Sequence, residues 1–254
     1  MSNKTQLIAD LLRTAIGSER KIQPTSAIIA AGGSSSRMGN TDGVTKQHMM
    51  VDGLPVIVHT LLAFEGCEVI NEIVVVARED EIPRYIEYKK RYGITKLSRT
   101  VSGGTTRQES VRRGFEAIDP KAKFVAIHDG ARCLITPEMI ERVCREGYRC
   151  KAAIAATAVR DTVKIADSKG FISETTDRNL VWLAQTPQVI SVPLYTAAAY
   201  SAREEGFEAT DDAMLVERLE NPVKLVECGR ENIKITTPDD ITMAEYILRN
   251  RQTY

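Results

Sequence analysis

The chain has 254 residues, and its 34 lysines and arginines balance 34 aspartates and glutamates, so the formal net charge is zero at pH 7. A neutral chain lacks the clustered positive charge from which nucleic-acid surfaces and basic membrane-binding faces draw affinity. Its 43% hydrophobic and 27% charged residues are typical of a globular protein, and its apolar runs are too short to cross a bilayer. We therefore expect no nucleic-acid partner and no membrane partner, and any anionic ligand must be held by a local site.

Residues 1–23 form an amphipathic N-terminal extension with its apolar residues on one helical face. Charged residues interrupt this stretch, so it lacks the continuous apolar run of a secretory signal and favours a cytoplasmic protein. The five cysteines include no Cys-x-x-Cys pair, which indicates reduced thiols rather than a disulfide framework or a zinc site. A nucleophilic Cys133 is an alternative, but a buried structural thiol is the favoured interpretation.

Short apolar runs predict buried strands at residues 27–31, 73–77, 124–128 and 152–159. Helical patterns lie between them, beginning near Pro55, after Thr106, and at Thr136, where an N-cap residue precedes a proline and an acidic residue. Later residues predict helices at 193–205, 211–219 and 238–249 and strands at 223–227 and 232–236. This alternation predicts a Rossmann-like α/β fold with a mostly parallel sheet and helices on both faces.

The pattern changes at about residues 159–189, where two alternating segments flank a polar turn at residues 167–170. Such a pattern is typical of a hairpin, and we predict a β-arm that projects from the sheet. No repeat or low-complexity linker divides the rest of the chain. We therefore treat residues 24–254 as a single domain that carries the arm.

A loop of small residues follows the first predicted strand and includes Ala31, Gly32, Gly33 and Ser34. Glycines and serines let backbone N–H groups turn towards an anion, and Arg37 and Lys46 would neutralise a polyphosphate held there. The loop fits neither the Walker A pattern nor Gly-x-Gly-x-x-Gly, which argues against kinases, ATPases and dehydrogenases. The pattern is similar to the nucleotide-binding signature of sugar-nucleotide-type nucleotidyltransferases.

Later segments narrow this resemblance to the 2-C-methyl-D-erythritol 4-phosphate cytidylyltransferase family of the non-mevalonate isoprenoid pathway. Together the matching segments cover roughly residues 26–250. They are Gly103-Gly104-Thr105-Thr106-Arg107-Gln108-Glu109-Ser110-Val111, His128-Asp129-Gly130-Ala131-Arg132, Val159-Arg160-Asp161-Thr162-Val163-Lys164, Asp177-Arg178-Asn179, Gln185-Thr186-Pro187-Gln188, Thr210-Asp211-Asp212-Ala213 and Asn232-Ile233-Lys234-Ile235-Thr236.

The resemblance implies transfer of a cytidylyl group from CTP to the phosphate of 2-C-methyl-D-erythritol 4-phosphate, with release of pyrophosphate. Arg37 and Lys46 match the family's pair that stabilises the transition state, and Arg178 and Lys234 match the pair that positions the acceptor. The implied nucleotide-binding residues are Ala31, Gly32, Gly33, Ser34, Gly103, Gly104, Thr105, Ser110 and Asp129. The implied acceptor-binding residues are Asp129, Arg132, Thr162, Arg178, Thr186, Thr210 and Lys234.

The resemblance also implies Mg²⁺ bound mainly through the CTP phosphates, with no metal site of the protein's own. In this family the arm reaches into the neighbouring subunit, which implies a homodimer because Thr162 and Arg178 belong to the arm. His128 is expected to be packed or hydrogen-bonded locally rather than catalytic. The chain departs from the family pattern in a longer loop over residues 39–45 before Lys46, which would be mobile and would close on CTP.

Other interpretations remain open at this point. The nearest is a cytidylyltransferase for another polyol phosphate, such as ribitol 5-phosphate, whose family shares the glycine-rich loop and the segment around Lys234. The altered loop also allows a non-catalytic nucleotide-binding module. A dehydrogenase is more distant, and fold-level similarity alone does not determine the acceptor.

Overall fold

The structure is a computed structural model, and it describes residues 22–33, 38 and 45–251. The described strands are β1 Thr25–Ala30, β2 Met50–Val51, β3 Leu54–Pro55, β4 Glu72–Ala77, β5 Leu97–Ser102, β6 Phe124–Asp129, β7 Ala152–Ala158, β8 Val163–Ala166, β9 Ile172–Thr176, β10 Trp182–Ser191 and β11 Lys224–Glu227. The described α-helices are α1 Val56–Glu65, α2 Ile82–Arg91, α3 Arg107–Phe115, α4 Pro137–Cys150, α5 Val192–Glu204, α6 Asp212–Glu217 and α7 Pro238–Arg251.

The central sheet has seven strands among the described residues, in the order β11-β7-β10-β6-β1-β4-β5. β10 runs antiparallel to both of its neighbours, and the other pairings are parallel. The chain moves from β1 outward through β4 and β5 and then returns to place β6 on the other side of β1. This reversal leaves a crevice at the carboxyl ends of β1 and β6, the usual ligand site of such sheets. The predicted α/β fold is therefore confirmed.

Both faces of the sheet are buried at its centre, which explains why the central strands are mainly apolar runs rather than alternating ones. One face packs against α1, α2 and α4, and the other packs against α3, α5 and α6. Consecutive strand residues serve opposite faces: Ile28 belongs to the second cluster and Ile29 to the first. A third cluster joins α7 to the start of α1 and to the chain after β6.

Two threonines begin helices as the sequence predicts. The Thr106 hydroxyl accepts a hydrogen bond from the Glu109 N–H at 3.1 Å, and the Thr136 hydroxyl accepts one from the Met139 N–H at 3.3 Å. Each cap satisfies a backbone donor that the first turn leaves unpaired. The first cap matters for function because α3 begins at the sheet edge where the crevice lies.

The predicted hairpin is present as β8 and β9, which pair antiparallel. We call residues 159–181 the arm; its base is closed by a hydrogen bond from the Val159 N–H to the Val181 carbonyl at 3.1 Å. Residues 182–189, which the sequence pattern grouped with the arm, lie in β10 and pair with β6 and β7 in the central sheet.

Three features differ from the sequence-based expectations. The strand predicted at 232–236 is wrong: this segment is irregular and is held by hydrogen bonds such as that from the Ile235 N–H to the Ala131 carbonyl at 2.8 Å. The apolar-run pattern did not predict β5, because it is an edge strand with partly exposed residues. It also did not predict α2, whose sequence is mostly charged and aromatic.

The N-terminal extension predicted at residues 1–23 lies outside the described residues except for Ile22 and Gln23. Residues 39–44 of the predicted closing loop also lie outside them. None of the described helices has the length and apolar character that crossing a membrane requires.

The position of Ile28 predicts a large effect on stability. Ile28 is fully buried in β1, whereas Ile86 on α2 is 53% exposed. We expect Ile28→Ala to lower the free energy of unfolding by about 2–5 kcal/mol, because it removes buried methyl groups and leaves a cavity. Ile86→Ala is the control and should change it by less than about 1 kcal/mol. Urea unfolding measures both, and equal losses would contradict the assignment of Ile28 to the core.

Candidate active site

A cleft of about 430 Å³ opens at the carboxyl ends of β1 and β6, a size that suits a small-molecule ligand. Its lining combines glycines, hydroxyl side chains and several cations with a single acidic residue among the described ones. The described lining residues are Ala30, Gly32, Gly33, Lys46, Gln47, Gly104, Thr105, Thr106, Arg107, Ser110, Asp129, Ala131, Lys234 and Thr236.

The glycine-rich loop leaves the end of β1 and forms one wall of the cleft. The Ala31 N–H bonds to the Val76 carbonyl at 2.7 Å, which keeps the chain on the sheet before it turns at Gly32 and Gly33. Lys46 returns to this wall in a short 3-10 turn, Lys46–His48, and is 9% exposed. The structure thus brings Gly32, Gly33 and Lys46 together, while Ser34 and Arg37 lie outside the described residues.

The turn between β5 and α3 forms the facing wall. The Ser110 hydroxyl accepts a hydrogen bond from the Gly104 N–H at 3.0 Å and donates to the Thr106 carbonyl at 2.9 Å. A Cβ atom on Gly103 would stand 2.9 Å from that hydroxyl, and one on Gly104 would stand 2.2 Å from Cδ of Glu109. A side chain at Gly103 would therefore displace the Ser110 hydroxyl, and one at Gly104 would displace the Glu109 side chain. Gly104, Thr105 and Ser110 line the cleft.

Asp129, the last residue of β6, lies at the centre of a cluster of cations. Its carboxylate is 2.8 Å from Lys234 Nζ, 3.4 Å from Arg107 Nε and 3.6 Å from Arg132 Nε. Burial alone would raise the pKa of Asp129, but Lys234 and Arg107 outweigh it and hold the pKa well below its usual range. Three cations around one carboxylate leave the site with a local positive excess, which suits a ligand that carries phosphates.

Arg107 is the functional candidate that sequence reasoning missed. It occupies the first turn of α3, and its Nη2 lies 2.8 Å from Oδ2 of Asp212, a residue at the start of α6. Asp212 is 1% exposed, and burial raises the pKa of its carboxyl while Arg107 opposes that shift. Arg107 thus links the cleft to α6. The sequence did hold one indication of this role. Arg107 directly follows the predicted N-cap Thr106, so it is the first residue of a helix that begins beside the crevice.

Thr186 and His128 support Asp129 from behind. The Thr186 hydroxyl accepts a hydrogen bond from the Asp129 N–H at 3.0 Å and lies 3.0 Å from Nδ1 of His128. His128 Nε2 faces the Arg132 carbonyl at 3.3 Å, so Nε2 is the donor and Nδ1 accepts from Thr186. Burial lowers the pKa of His128 to about 3, and the ring is neutral and locally hydrogen-bonded as the sequence analysis expected.

The irregular segment after β11 carries Lys234 to the cleft. Asn232 is fully buried, and its Nδ2 donates to the Gln185 side-chain oxygen and to the Thr186 carbonyl, both at 3.0 Å. Arg132 donates from Nη1 to the Asn232 carbonyl at 2.9 Å. These contacts fix the backbone before Ile233, and the bond from the Ile235 N–H to the Ala131 carbonyl fixes it after Lys234. Lys234 therefore reaches Asp129 without regular secondary structure.

Thr162, Arg178 and Thr210 do not line the cleft in a single chain. Thr162 and Arg178 lie on the exposed arm, where Arg178 Nη1 donates to the Arg160 carbonyl at 2.8 Å. Thr210 is exposed before α6, and its hydroxyl faces the Met214 sulfur at 3.6 Å. Cys133 is buried, and burial raises the pKa of its thiol to about 12, which leaves it protonated and argues against a nucleophile.

The fold and the site define a class of protein. It is a doubly wound α/β protein with a cationic cleft at the point where the strand order of the sheet reverses, and such a cleft suits a nucleotide or another phosphate-bearing ligand. A family model for 2-C-methyl-D-erythritol 4-phosphate cytidylyltransferase matches residues 25–250. Proteins of that name from Syntrophus aciditrophicus and Caldanaerobacter subterraneus are each 43% identical, over 89% and 88% of this chain and 96% and 98% of their own.

Solved structures agree with this comparison. The crystal structure of 4-diphosphocytidyl-2C-methyl-D-erythritol synthase from Anaerococcus prevotii superposes with a TM-score of 0.81 at 32% identity, covering 91% of this chain and 99% of its own. The 2-C-methyl-D-erythritol 4-phosphate cytidylyltransferase from Thermus thermophilus gives a TM-score of 0.73 at 31% identity, covering 89% and 99%. This chain belongs to the 2-C-methyl-D-erythritol 4-phosphate cytidylyltransferase family and is a nucleotidyltransferase enzyme.

The neutral, buried His128 predicts how stability changes with pH. In the unfolded chain the His128 imidazole takes up a proton near pH 6.5, whereas in the folded chain it does so only near pH 3. The free energy of unfolding therefore decreases as the pH falls between these two values. From pH 7 to pH 5 we expect His128 to account for a loss of about 2 kcal/mol. Urea unfolding of the wild type and of His128→Gln at both pH values measures it. The variant should lose less stability than the wild type over this interval, and an equal loss would refute the assignment.

Proposed function

We propose that the cleft transfers a cytidylyl group from CTP to the phosphate of 2-C-methyl-D-erythritol 4-phosphate, in isoprenoid precursor biosynthesis. One observation carries this proposal. This chain belongs to the family, and its fold brings Lys46, Arg107, Asp129 and Lys234 around one cleft where the strand order of the sheet reverses. The family match favours this acceptor over ribitol 5-phosphate, and it favours an enzyme over a non-catalytic binding module.

In this reaction an oxygen of the acceptor phosphate attacks the α-phosphorus of CTP. The bond from that phosphorus to the bridging oxygen breaks on the opposite side, and pyrophosphate leaves with the electron pair. The acceptor is already an anion, so the step needs no general base and no covalent intermediate. Alignment and charge stabilisation supply the rate.

Each cation has a distinct role in this scheme. Lys46 and Arg37 stabilise the charge that develops at the α-phosphate, and Lys234 and Arg178 hold the acceptor phosphate in line. Asp129 restrains the Lys234 ammonium at 2.8 Å, so the lysine is oriented before substrate enters. Arg132, which bonds to the Asn232 carbonyl, fixes the same segment from the other side.

The glycine-rich walls suit the nucleotide itself. Gly32 and Gly33 line the cleft, and their backbone N–H groups would bind the phosphates without a bulky side chain in the way. Ala31 anchors this loop to β4 through its N–H, and the family resemblance assigns Ser34 to the same phosphate site. On the facing wall Gly103, Gly104, Thr105 and Ser110 lie close enough together for a backbone edge to read the exocyclic amine of cytosine. The family resemblance assigns Thr186 and Thr210 to the acceptor; Thr186 would act by holding Asp129.

The donor set suits Mg²⁺ that is held mainly by the CTP phosphates. Among the described residues no group of three or more His, Cys, Asp and Glu side chains could cage a metal ion, and Asp129 is the one carboxylate on the described cleft lining. Mg²⁺ commonly takes one or two carboxylates together with substrate phosphates. When bound, the ion would neutralise phosphate charge, and Asp129 is the side chain available to it.

We further propose a cytoplasmic homodimer in which the arm of one subunit completes the cleft of the other. Thr162 and Arg178 lie on the arm and do not line the cleft of their own chain. The arm and its base also expose large apolar side chains, which a partner would cover. These are Ile165, Phe171, Ile172, Leu180 and Leu183. The described cysteines are all free thiols, which suits a reducing compartment.

Pyrophosphate release tests the reaction. The purified protein with Mg²⁺ should release pyrophosphate from CTP with 2-C-methyl-D-erythritol 4-phosphate, and not from ATP, GTP or UTP. Lys234→Met should lower kcat by about 10²–10³, because it removes a cation that orients the acceptor. Lys90→Met, at an exposed position of α2, is the matched control and should retain full activity. Release with ribitol 5-phosphate instead would change the acceptor, and no release with any pair would refute the proposal.

Mixing two variants with strongly reduced activity tests the shared site. Arg178→Ala lacks the arm contact, and Lys46→Met lacks the cleft lysine. After unfolding and refolding together, about a quarter of wild-type activity should return, since half of randomly assorted dimers are mixed and each retains one intact cleft. Refolding each variant alone is the control. Activity that stays at the sum of the separate variants would show that the arm serves its own chain or none.

A further inference from the structure

A buried polar cluster lies directly behind the turn that carries Lys46. We call it the Glu81 cluster, and its members are Thr45, His48, Glu81, Tyr85 and Tyr88. All are buried, with exposures from 0% to 9%. None of the family segments matched in the sequence includes these residues, and the reaction scheme above gives them no role.

Two residues of the cluster contact the same oxygen of the Glu81 carboxylate. The Thr45 hydroxyl donates to Glu81 Oε1 at 2.6 Å, and His48 Nε2 lies 3.5 Å from the same oxygen. His48 Nδ1 lies 3.1 Å from the Tyr88 hydroxyl, and its ring packs at 5.6 Å from the Tyr85 ring. Glu81 therefore contacts the residue before Lys46 and the residue two positions after it.

The turn around Lys46 has little structure of its own to hold it. It is a single 3-10 turn, with the His48 N–H on the Thr45 carbonyl at 2.9 Å and the Met49 N–H on the Lys46 carbonyl at 3.3 Å, and its N-cap has no side-chain hydrogen bond. Such short turns are weakly stable without tertiary contacts. The turn also lies against α1, where the Val56 N–H bonds to the Met49 carbonyl at 2.9 Å. The Glu81 cluster adds side-chain contacts on both sides of Lys46.

Glu81, by contrast, is joined directly to a regular helix, because it is the N-cap residue of α2. It ends the 3-10 turn Glu79–Glu81, which follows β4 and leads directly into α2. Burial favours the neutral form of its carboxyl, but the contact with His48 and the hydrogen bond from Thr45 outweigh burial and lower its pKa, so Glu81 is a carboxylate at neutral pH. Burying a carboxylate is costly, and apolar residues of similar size would hold a purely structural contact equally well.

We propose that Glu81 is a positioning residue, whose carboxylate clamps the turn from Thr45 to His48 against the start of α2 and so fixes the direction of the Lys46 ammonium in the cleft. This inference rests on the proposed function of Lys46. The proposal extends the active site to Glu81, which is not one of the described residues that line the cleft.

Kinetics of three variants test the clamp. Glu81→Ala should lower kcat about tenfold and leave the KM for the acceptor within about twofold, because misplacing one cation weakens the transition state more than acceptor binding. Glu81→Gln retains an oxygen for the Thr45 hydroxyl and should recover most of the loss. Glu79→Ala removes an exposed carboxylate from the same 3-10 turn and should behave as wild type.

A double variant separates positioning from general stability. Because Glu81 acts through Lys46, Glu81→Ala should change kcat by less than about twofold in a Lys46→Met background. If the two losses multiply instead, or if Lys46→Met is fully active, the proposal is overturned. Should Glu81→Ala fail to fold by circular dichroism, Thr45→Val, which removes the same hydrogen bond while keeping the side-chain shape, replaces it in both comparisons.

A measurement without substrates distinguishes this proposal from the reaction itself. Acetic anhydride acylates accessible lysine amines, and mass spectrometry follows the rate at Lys46. We expect that rate to rise at least about threefold in Glu81→Ala over wild type and Glu79→Ala, because the released turn exposes the amine. If the wild type releases no pyrophosphate, the proposed function fails and the labelling still decides the clamp. An unchanged labelling rate of Lys46 in a folded Glu81→Ala variant overturns the proposal that Glu81 clamps the turn.

Discussion

The active site depends on a buried carboxylate at the centre of the sheet edge. Asp129 is 8% exposed, and a charge in that position is tolerated only with close partners. Its partners come from distant parts of the chain: Arg107 from α3, Arg132 from the loop after β6, and Lys234 from the segment before α7. Folding these segments together around Asp129 is therefore the same event as assembling the cationic cleft.

Arg107 carries this constraint one step further, since it also pairs with the buried Asp212. The two carboxylates share one guanidinium, and α6 is therefore held to the cleft by charge as well as by apolar packing. On the opposite wall Glu81 holds the turn that carries Lys46. Asp212 thus orients Arg107, and Glu81 orients Lys46 through its turn, although neither carboxylate takes part in the reaction. By placing such carboxylates behind the cleft and the basic residues on its lining, a chain of zero net charge provides a cationic site.

Much of this could be predicted from sequence, and the exceptions have physical causes. Fully buried strands such as β1 and β6 are continuous apolar runs, and the N-caps at Thr106 and Thr136 are local signals. The segment around Lys234 was wrongly expected to be a strand, because its apolar residues pack on α7 rather than pair in the sheet. Arg107 resembles any surface arginine until α6 is placed beside it, and such long-range pairings have no local sequence signature.

The position of β10 has a consequence for the order in which the sheet forms. β6 and β7 are successive strands of the central sheet along the chain, yet β10 separates them and pairs with both. During synthesis the β6 edge therefore stays open until residue 191 has left the ribosome, and Lys234 follows later still. An exposed strand edge invites pairing with other chains. The inserted antiparallel strand thus makes the nascent protein dependent on its last third both to close its sheet and to complete its cleft.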